Sequence, residues 1–442
     1  MRSAPTPTGE PSPRRRGDRR WRGLALVALG WIASAAHAGA PLPAADPAAA
    51  GLSPQGLARL HRFMEEATGP AGYTGGVTLL ARGGRIVDWR GYGHRDLERT
   101  APMPRDAIFR IYSMTKTVAS AAVLMLVEEG RIGLDDPVSR HLPELGEPRV
   151  VSGGDADAPQ LRRARGAITI RMLLTHTAGF AAGLAGDAAA VELLERAEPH
   201  AAADLAGFVA RLARAPLAAD PGTRFGYDGA ATEVLARVVE VAAGQPFDEF
   251  LQARILAPLQ MEDTGFQVPA DQRHRIADIT VMGAGGRLVR HDGPSSLDPG
   301  ARLNAYPSAA GGLYSTAGDY ARFCQMLLDG GELDGVRILA RDSVEAMMRN
   351  QLTMLDPPVT QFSDAEGFGF GGYVAIDPAR RTRPGAAGQF GWAGAASTSY
   401  VVDPHERLVA ILMLQHLPRD GADDLPRLGD RFYSLVYQSL AR

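Results

Sequence analysis

An almost wholly apolar segment, residues 113–129, restricts the fold more than any other part of the sequence. Beyond its first turn the segment consists mainly of Val, Ala, Leu and Met, and Gly130, a residue typical of helix C-termini, follows it. A helix that is apolar on all sides must be covered by other elements of its domain. The sequence therefore predicts a helix in the middle of the domain, with Ser113 and Lys116 in its first turn.

Strand patterns lie on both sides of this helix along the chain. Residues 77–80 and 86–89 flank Gly83-Gly84, and residues 399–402 and 408–413 flank a second turn, so both pairs are typical of β-hairpins. The region from about 140 to 300 has mainly helix and loop patterns, with an amphipathic helix ending at Gly244. The predicted fold class is α+β. An antiparallel sheet is built from the N- and C-terminal segments and flanked by helices, with a mainly helical region inserted between them.

The first 38 residues have the three parts of a signal peptide. Six arginines between positions 14 and 22 precede an apolar run at 24–35, and Ala36-His37-Ala38 supplies small residues for cleavage. The apolar run is too short to span a membrane comfortably. We expect residues 1–38 to be removed by cleavage near Ala38, which would leave an exported protein, periplasmic or secreted, with no membrane partner in its mature form.

The remaining chain is expected to contain one folded domain. Residues 39–50 are predicted to be a flexible linker and residues 51–442 the domain, with its first helix beginning at Ser53-Pro54. The polar residues 151–165 are predicted to form a surface loop. Removal of residues 1–38 takes away seven Arg, one Asp and one Glu and changes the net charge from −3 to −8. That balance gives no support for a nucleic-acid partner.

Lys116 is the only lysine among 47 lysines and arginines. A buried lysine can lose its proton, whereas arginine effectively cannot. Lys116 is therefore interpreted as a position that needs a removable proton, the alternative being a lysine retained by chance. Ser113 lies three residues earlier on the same helix face, so its hydroxyl and the amine can come within hydrogen-bond distance. The helix N-terminus and the apolar neighbours favour the neutral amine. This pair predicts a serine nucleophile activated by lysine.

Several motifs around this pair occur in a familiar order. They are Ile108-Phe109-Arg110-Ile111-Tyr112-Ser113-Met114-Thr115-Lys116, Leu134-Asp135-Asp136-Pro137-Val138, Leu173-Leu174-Thr175-His176-Thr177-Ala178-Gly179, Gly311-Gly312-Leu313-Tyr314-Ser315-Thr316 and Gly391-Trp392-Ala393-Gly394. The series resembles the serine β-lactamase and penicillin-binding-protein superfamily over about residues 50 to 440. Its class C β-lactamase branch, with the esterase relatives, is the most similar. The resemblance implies a serine β-lactamase-like fold and an acyl-enzyme on Ser113, with Lys116 as the base.

The resemblance also implies a catalytic tyrosine. Tyr227, in Phe225-Gly226-Tyr227-Asp228-Gly229, matches the family tyrosine that passes protons between the nucleophile, the lysine and the leaving group. Family lactamases usually carry asparagine two residues later, where this chain has Gly229, so the amide that contacts the acylamino side chain of a lactam is missing. The alternative for Tyr227 is a packing tyrosine at the start of a helix.

The third family element differs in this chain. Lactamases and peptidases usually carry lysine-threonine-glycine here, and the lysine attracts the substrate carboxylate; this chain has Trp392-Ala393-Gly394. The resemblance is therefore closest to family VIII carboxylesterases, which share the tryptophan. It implies that Trp392 forms an apolar wall, that Gly394 allows a close approach of the substrate, and that the amides of Ser113 and Ala395 form the oxyanion hole. Simple core packing is the alternative for Trp392.

Other patterns point away from other enzyme classes. Residues 367–372 fit G-x-G-x-x-G, but a strand rather than a helix is expected next, which argues against a dinucleotide site. There is no G-x-S-x-G elbow and no HExxH motif, so neither an α/β-hydrolase nor a metal site is expected, and no cofactor is predicted. His176 and Cys324 are both predicted to be structural, buried residues.

These observations predict a serine hydrolase that acts on a small-molecule ester or amide through an acyl-enzyme, most simply a carboxylesterase for small neutral esters. Two alternatives stay open. One is activity on β-lactams or D-Ala-D-Ala peptides, against which the missing lysine argues. The other is a binding or regulatory homologue without turnover, against which the complete set of Ser113, Lys116 and Tyr227 argues.

Overall fold

The N-terminal helix and the hairpin that follows it form where the sequence predicts them. The computed structural model describes residues 41–419, Gly421 and residues 423–441; the predicted signal peptide lies outside these residues. The first helix begins at Pro54, and the Ser53 side chain accepts a hydrogen bond from the Gly56 amide, so serine caps the helix as expected. Gly83 and Gly84 have φ values of 57° and 80°, which suit a two-residue turn between antiparallel strands.

The elements are numbered along the chain. The helices are α1 Pro54–Ala67, α2 Thr115–Glu128, α3 Ile170–Leu174, α4 Ala188–Ala197, α5 Leu205–Leu212, α6 Ala230–Ala243, α7 Phe247–Leu251, α8 Pro294–Leu297, α9 Ala317–Leu328, α10 Arg341–Met347 and α11 Gly429–Ser439. The strands are β1 Gly75–Arg82, β2 Arg85–Gly93, β3 Phe109–Arg110, β4 Arg149–Gly153, β5 Gln160–Arg163, β6 Thr280–Met282, β7 Leu288–Arg290, β8 Tyr314–Ser315, β9 Glu332–Leu333, β10 Val336–Arg337, β11 Glu366–Phe368, β12 Tyr373–Ala375, β13 Phe390–Ala393, β14 Ser399–Asp403 and β15 Leu408–Leu414.

Seven strands form one antiparallel sheet in the order β11-β12-β13-β14-β15-β1-β2. The N-terminal hairpin joins the C-terminal strands where β1 pairs with β15, with Val77 opposite Met413 and Leu79 opposite Ile411. The helices of the inserted region, α3 to α8, all precede the return of the chain to the sheet at β11. The predicted α+β class, with a sheet built from both ends of the chain, is therefore confirmed.

The sheet has one core on each face because alternate strand residues point to opposite sides. Val77 and Ile411 belong to a large core with α2, α5, α6 and α9, whereas Leu80 and Leu412 belong to a second core with α1 and α11. Every residue of α2 from Thr115 to Leu126 is buried. The helix predicted from its apolar composition therefore lies inside the domain, as expected.

Two segments differ from the sequence-based predictions. The predicted surface loop 151–165 contains most of a hairpin. Its strands β4 and β5 pair antiparallel, with Val151 opposite Leu161. In the predicted linker, residues 43–45 lie beside strand β2: Ile86 donates to the Pro43 carbonyl and accepts from the Ala45 amide. Strand β2 is the edge of the sheet, so its unpaired backbone groups attract this segment. Among the described residues, no helix combines the length and the apolarity that crossing a membrane requires.

Candidate active site

Ser113 lies in a tight turn at the N-terminus of α2. Residues Tyr112–Met114 form a single 3₁₀ turn that leads directly into the α-helix. Tyr112 has a φ of 43°, an uncommon conformation for a tyrosine, and such strained residues cluster at functional sites. The backbone on both sides is held, since Arg110 pairs with Tyr314 and the Ile111 amide donates to the Leu313 carbonyl. This turn presents a partly exposed Ser113 at the surface of the buried helix.

Lys116 lies beside Ser113, as the spacing predicts. Its Nζ is 3.2 Å from the Ser113 Oγ and 2.7 Å from the Ala310 carbonyl oxygen. The side chain is only 3% exposed. In its neutral form the amine has a lone pair that can accept the hydroxyl proton of Ser113. The geometry of this pair therefore permits general-base activation of the serine.

Tyr227 lies on the other side of Lys116. The centre of its ring is 5.0 Å from the Lys116 Nζ, and the Tyr227 oxygen accepts a hydrogen bond of 3.1 Å from the Trp392 Nε1. Because Trp392 supplies the proton of that bond, the hydroxyl proton of Tyr227 is free to be donated elsewhere. The fold thus brings Ser113, Lys116 and Tyr227 together, although the tyrosine follows the lysine by more than 100 residues.

The strand that edges the site is β13. Trp392 is half-buried and packs against Tyr227 and Phe368, with ring centres 5.0 and 5.1 Å away. It is therefore both a packing residue and a hydrogen-bond donor to Tyr227, and the second role was not predicted. A Cβ atom on Gly394 would collide with the Ile111 carbonyl oxygen, so this glycine permits the strand to approach the nucleophile turn closely. Among the described residues, no acceptor is found for the Ala395 amide, the predicted oxyanion donor.

Several residues that support Tyr227 were not singled out as functional in the sequence. The buried His176 packs its ring 4.7 Å from that of Tyr227, and burial lowers the pKa of its imidazole. The burial of His176 and of Cys324 was predicted correctly. The Gln361 side chain accepts from the Tyr227 amide at 2.9 Å, and the neighbouring Phe362 packs on the tyrosine ring while remaining 58% exposed. No local motif around residues 361 and 362 indicates these contacts.

A cavity of about 520 Å³ opens beside Tyr227 and Gly229. This volume is typical of small-molecule sites. Its remaining walls are mainly apolar and include Leu194 and Phe208, and Glu195 and Glu198 are among the polar lining residues. The lining includes no lysine or arginine. Gly229 has an ordinary φ of −86°, and a Cβ there would make only a normal contact of 3.5 Å with Ala310. Backbone geometry therefore does not require glycine at this position, and its lack of a side chain leaves the cavity open.

Comparisons with known proteins agree with this fold. The family model described as Beta-lactamase matches residues 60–431. Protein Rv1367c of Mycobacterium tuberculosis is 37% identical over 362 residues, which cover 79% of this chain and 88% of the relative. Esterase EstB of Burkholderia gladioli is 32% identical over 403 residues, 85% and 94% of the two chains. The solved structure of simvastatin synthase (LovD) from Aspergillus terreus superposes with a TM-score of 0.74 at 24% identity, covering 86% of this chain and 98% of that one.

We expect Gly394→Ala to impair the site through the backbone. Its methyl group would meet the Ile111 carbonyl oxygen, which cannot move without displacing Ser113. Overpacking of this kind costs about 1–3 kcal/mol of folding stability. If the displacement of Ser113 costs the transition state for labelling ~1 kcal/mol or more, the rate at which a fluorophosphonate probe labels Ser113 should fall at least about fivefold. Gly429→Ala, at the open start of α11, is the matched control and should leave the labelling rate unchanged. Unchanged labelling of Gly394→Ala would contradict the close approach.

Trp392→Phe should separate the hydrogen bond of Trp392 from its packing. The change keeps an aromatic ring beside Tyr227 but removes the N–H that donates to its oxygen. A net loss of about 1 kcal/mol for one hydrogen bond corresponds to a roughly fivefold slower labelling of Ser113. Trp89→Phe, on the edge strand β2, loses a similar bond to the Arg105 carbonyl and serves as control. Equal rates for both variants would show that the Trp392 bond has no role in the site.

Proposed function

The chain belongs to the β-lactamase family of serine hydrolases, and we propose that within this family it is a carboxylesterase that hydrolyses small neutral esters through an acyl-enzyme on Ser113. The observation that carries the proposal is the contact between the Lys116 amine and the Ser113 hydroxyl, 3.2 Å apart in a nearly buried site. The similarity to an esterase, EstB, over 85% of the chain supports the same reaction class.

The proposed reaction has two steps. In acylation, Ser113 Oγ bonds to the ester carbonyl carbon while its proton passes to Lys116, and the carbonyl oxygen becomes an oxyanion bound by the amides of Ser113 and Ala395. Tyr227 donates a proton to the leaving alcohol as the ester C–O bond breaks and is reprotonated from Lys116. In deacylation, Lys116 and Tyr227 take a proton from the water that attacks the acyl carbon and return it to Ser113 Oγ as the bond from Oγ to the acyl carbon breaks, which releases the carboxylic acid.

Two features support a neutral substrate. Trp392 stands where lactamases and peptidases of this superfamily carry the lysine that attracts a substrate carboxylate. The cavity beside Gly229 has mainly apolar walls and carries Glu195 and Glu198, with no lysine or arginine in its lining. An alkyl group gains about 0.8 kcal/mol for each methylene that it buries, whereas an anion would be repelled by the two carboxylates. We propose that this cavity takes the acyl chain of the ester.

Substitution of the central pair tests the reaction. Ser113→Ala should abolish turnover of p-nitrophenyl butyrate above the background rate. Lys116→Arg replaces the amine with a guanidinium group that cannot give up its proton and so cannot act as the base, and kcat should fall by a factor of about 10³ or more, because members of such a unit act together. Steady-state kinetics on purified protein, with circular dichroism to confirm folding, measures both effects. Turnover of Ser113→Ala at the wild-type rate would refute the assignment, and a wild type that a fluorophosphonate does not label would indicate a binding homologue.

A substrate panel tests the specificity. Along p-nitrophenyl acetate, butyrate and hexanoate, kcat/KM should rise by about fourfold per methylene buried in the cavity. An acyl chain ending in a carboxylate should react more slowly than its neutral counterpart, and nitrocefin should not be turned over measurably. Gly229→Leu narrows the cavity and should remove the rise of kcat/KM with acyl chain length. Val241→Leu changes an exposed residue of α6, the helix that Gly229 precedes, and should retain that rise. Preference for nitrocefin over the esters would favour a lactamase instead.

A further inference from the structure

Glu233 is a fully buried carboxylate beneath the proposed site. It lies on α6, six residues after Tyr227, and has no exposed surface. One of its oxygens accepts a hydrogen bond from the Ser308 hydroxyl, and the other accepts from the Ala309 amide at 2.9 Å. Burial of a carboxylate lowers the folding stability unless the group is hydrogen-bonded in this way. A buried carboxylate next to the site is therefore a candidate for a functional role. Neither the sequence motifs nor the proposed reaction uses this residue.

The partners of Glu233 belong to the segment that holds Lys116. Ser308 and Ala309 immediately precede Ala310, whose carbonyl oxygen accepts the 2.7 Å hydrogen bond from the Lys116 Nζ. The other end of the segment is fixed to α2, because the Leu313 amide donates to the Thr115 hydroxyl at 3.2 Å. The carboxylate is therefore bonded to the two residues that precede the carbonyl group on which the lysine amine rests.

We propose that Glu233 is the positioning residue for Lys116: its carboxylate holds residues 308–310 so that the Ala310 carbonyl directs the amine towards Ser113. This inference rests on the proposed function, since it assigns Glu233 a part in the activation of Ser113. The carboxylate also has an electrostatic effect. When Lys116 takes the proton of Ser113 it becomes an ammonium ion, which a nearby negative charge stabilises.

The ionisation of Glu233 should then be visible in the reaction. Burial raises the pKa of this carboxyl group to about 7, against the lowering effects of Ser308, the amides of residues 309 and 310, and Lys116. The groups that face it are Lys116 on α2 and Tyr306 on the neighbouring segment, whose hydroxyl bonds to His200. Below about pH 7 Glu233 gains a proton and loses its charge beside Lys116. Labelling of Ser113 should therefore slow as the pH falls through this value.

Protonation of Glu233 also affects stability, and the direction is opposite to that of most carboxylates. The folded protein retains a proton on Glu233 between about pH 4.5, the ordinary value, and about pH 7. The unfolded chain has lost that proton in this range, so the free energy of unfolding decreases as the pH rises through it. Asp319 on α9 is a matched case, because burial likewise raises the pKa of its carboxyl group to about 7. It bonds to Thr264 and the Asp263 amide rather than to the segment at 308–310.

The test is the rate of fluorophosphonate labelling of Ser113 from pH 5.5 to 9, for the full chain and three variants. The wild type should show a step near pH 7. Glu233→Gln should label about tenfold more slowly at pH 8 and lack the step. Ser308→Ala removes a hydrogen bond that stabilises the carboxylate, so its step should move to higher pH. Asp319→Asn should alter the pH dependence of unfolding in urea but keep the step.

The outcomes separate the two proposals. If the wild type is labelled and Glu233→Gln shows the same pH dependence of labelling as the wild type, the role of Glu233 is overturned. Ser113 would still be the nucleophile. A wild type that is not labelled at any pH would overturn the proposed function and this inference with it. Urea unfolding of each variant shows whether it is folded. If Glu233→Gln does not fold, an unmoved step in Ser308→Ala overturns the inference on its own.

Discussion

The site depends on the burial of one amine among neutral partners. Lys116 contacts a hydroxyl, a backbone carbonyl and an aromatic ring, and these partners tolerate a neutral amine as well as an ammonium ion. A directly paired carboxylate would instead hold the proton on the lysine and make it a poor base. The rest of the molecule maintains this arrangement: α2 supplies the buried position, and residues 308–313 supply the carbonyl. Arginine at this position could not exchange the proton.

The hydrogen bond between Trp392 and Tyr227 joins the two parts of the fold. Trp392 lies on strand β13 of the sheet and Tyr227 lies at the start of α6 in the helical region, so their contact closes the site across the boundary between them. In the proposed function, the same tryptophan stands where lactamases of this superfamily carry a lysine, and the absence of that cation is the reason for proposing neutral substrates. One residue therefore connects the geometry of the tyrosine with the proposed choice of substrate.

Much of the fold follows from local patterns. The Gly83-Gly84 turn, the strands at 399–403 and 408–414, and the helix that ends at Gly244 all appear where alternation, helical periodicity and turn residues predict them. The predictions are wrong where a pattern is weak or where a neighbour decides. The hairpin at 149–163 has few apolar residues to reveal its alternation. Residues 43–45 are held by hydrogen bonds to the edge strand β2. The composition of residues 43–45 does not indicate these bonds.

The sequence by itself determined the Ser113–Lys116 pair, because helix geometry places residues three apart on one face whatever surrounds them. It also determined that this helix is buried. Tertiary structure alone decided that Ala310 would hold the lysine, that Trp392 would donate to Tyr227, and that Glu233 would bond Ser308. These partners are separated by 194, 165 and 75 residues. Contacts between residues so far apart in the sequence depend on how the whole chain packs around α2. No local periodicity specifies that packing.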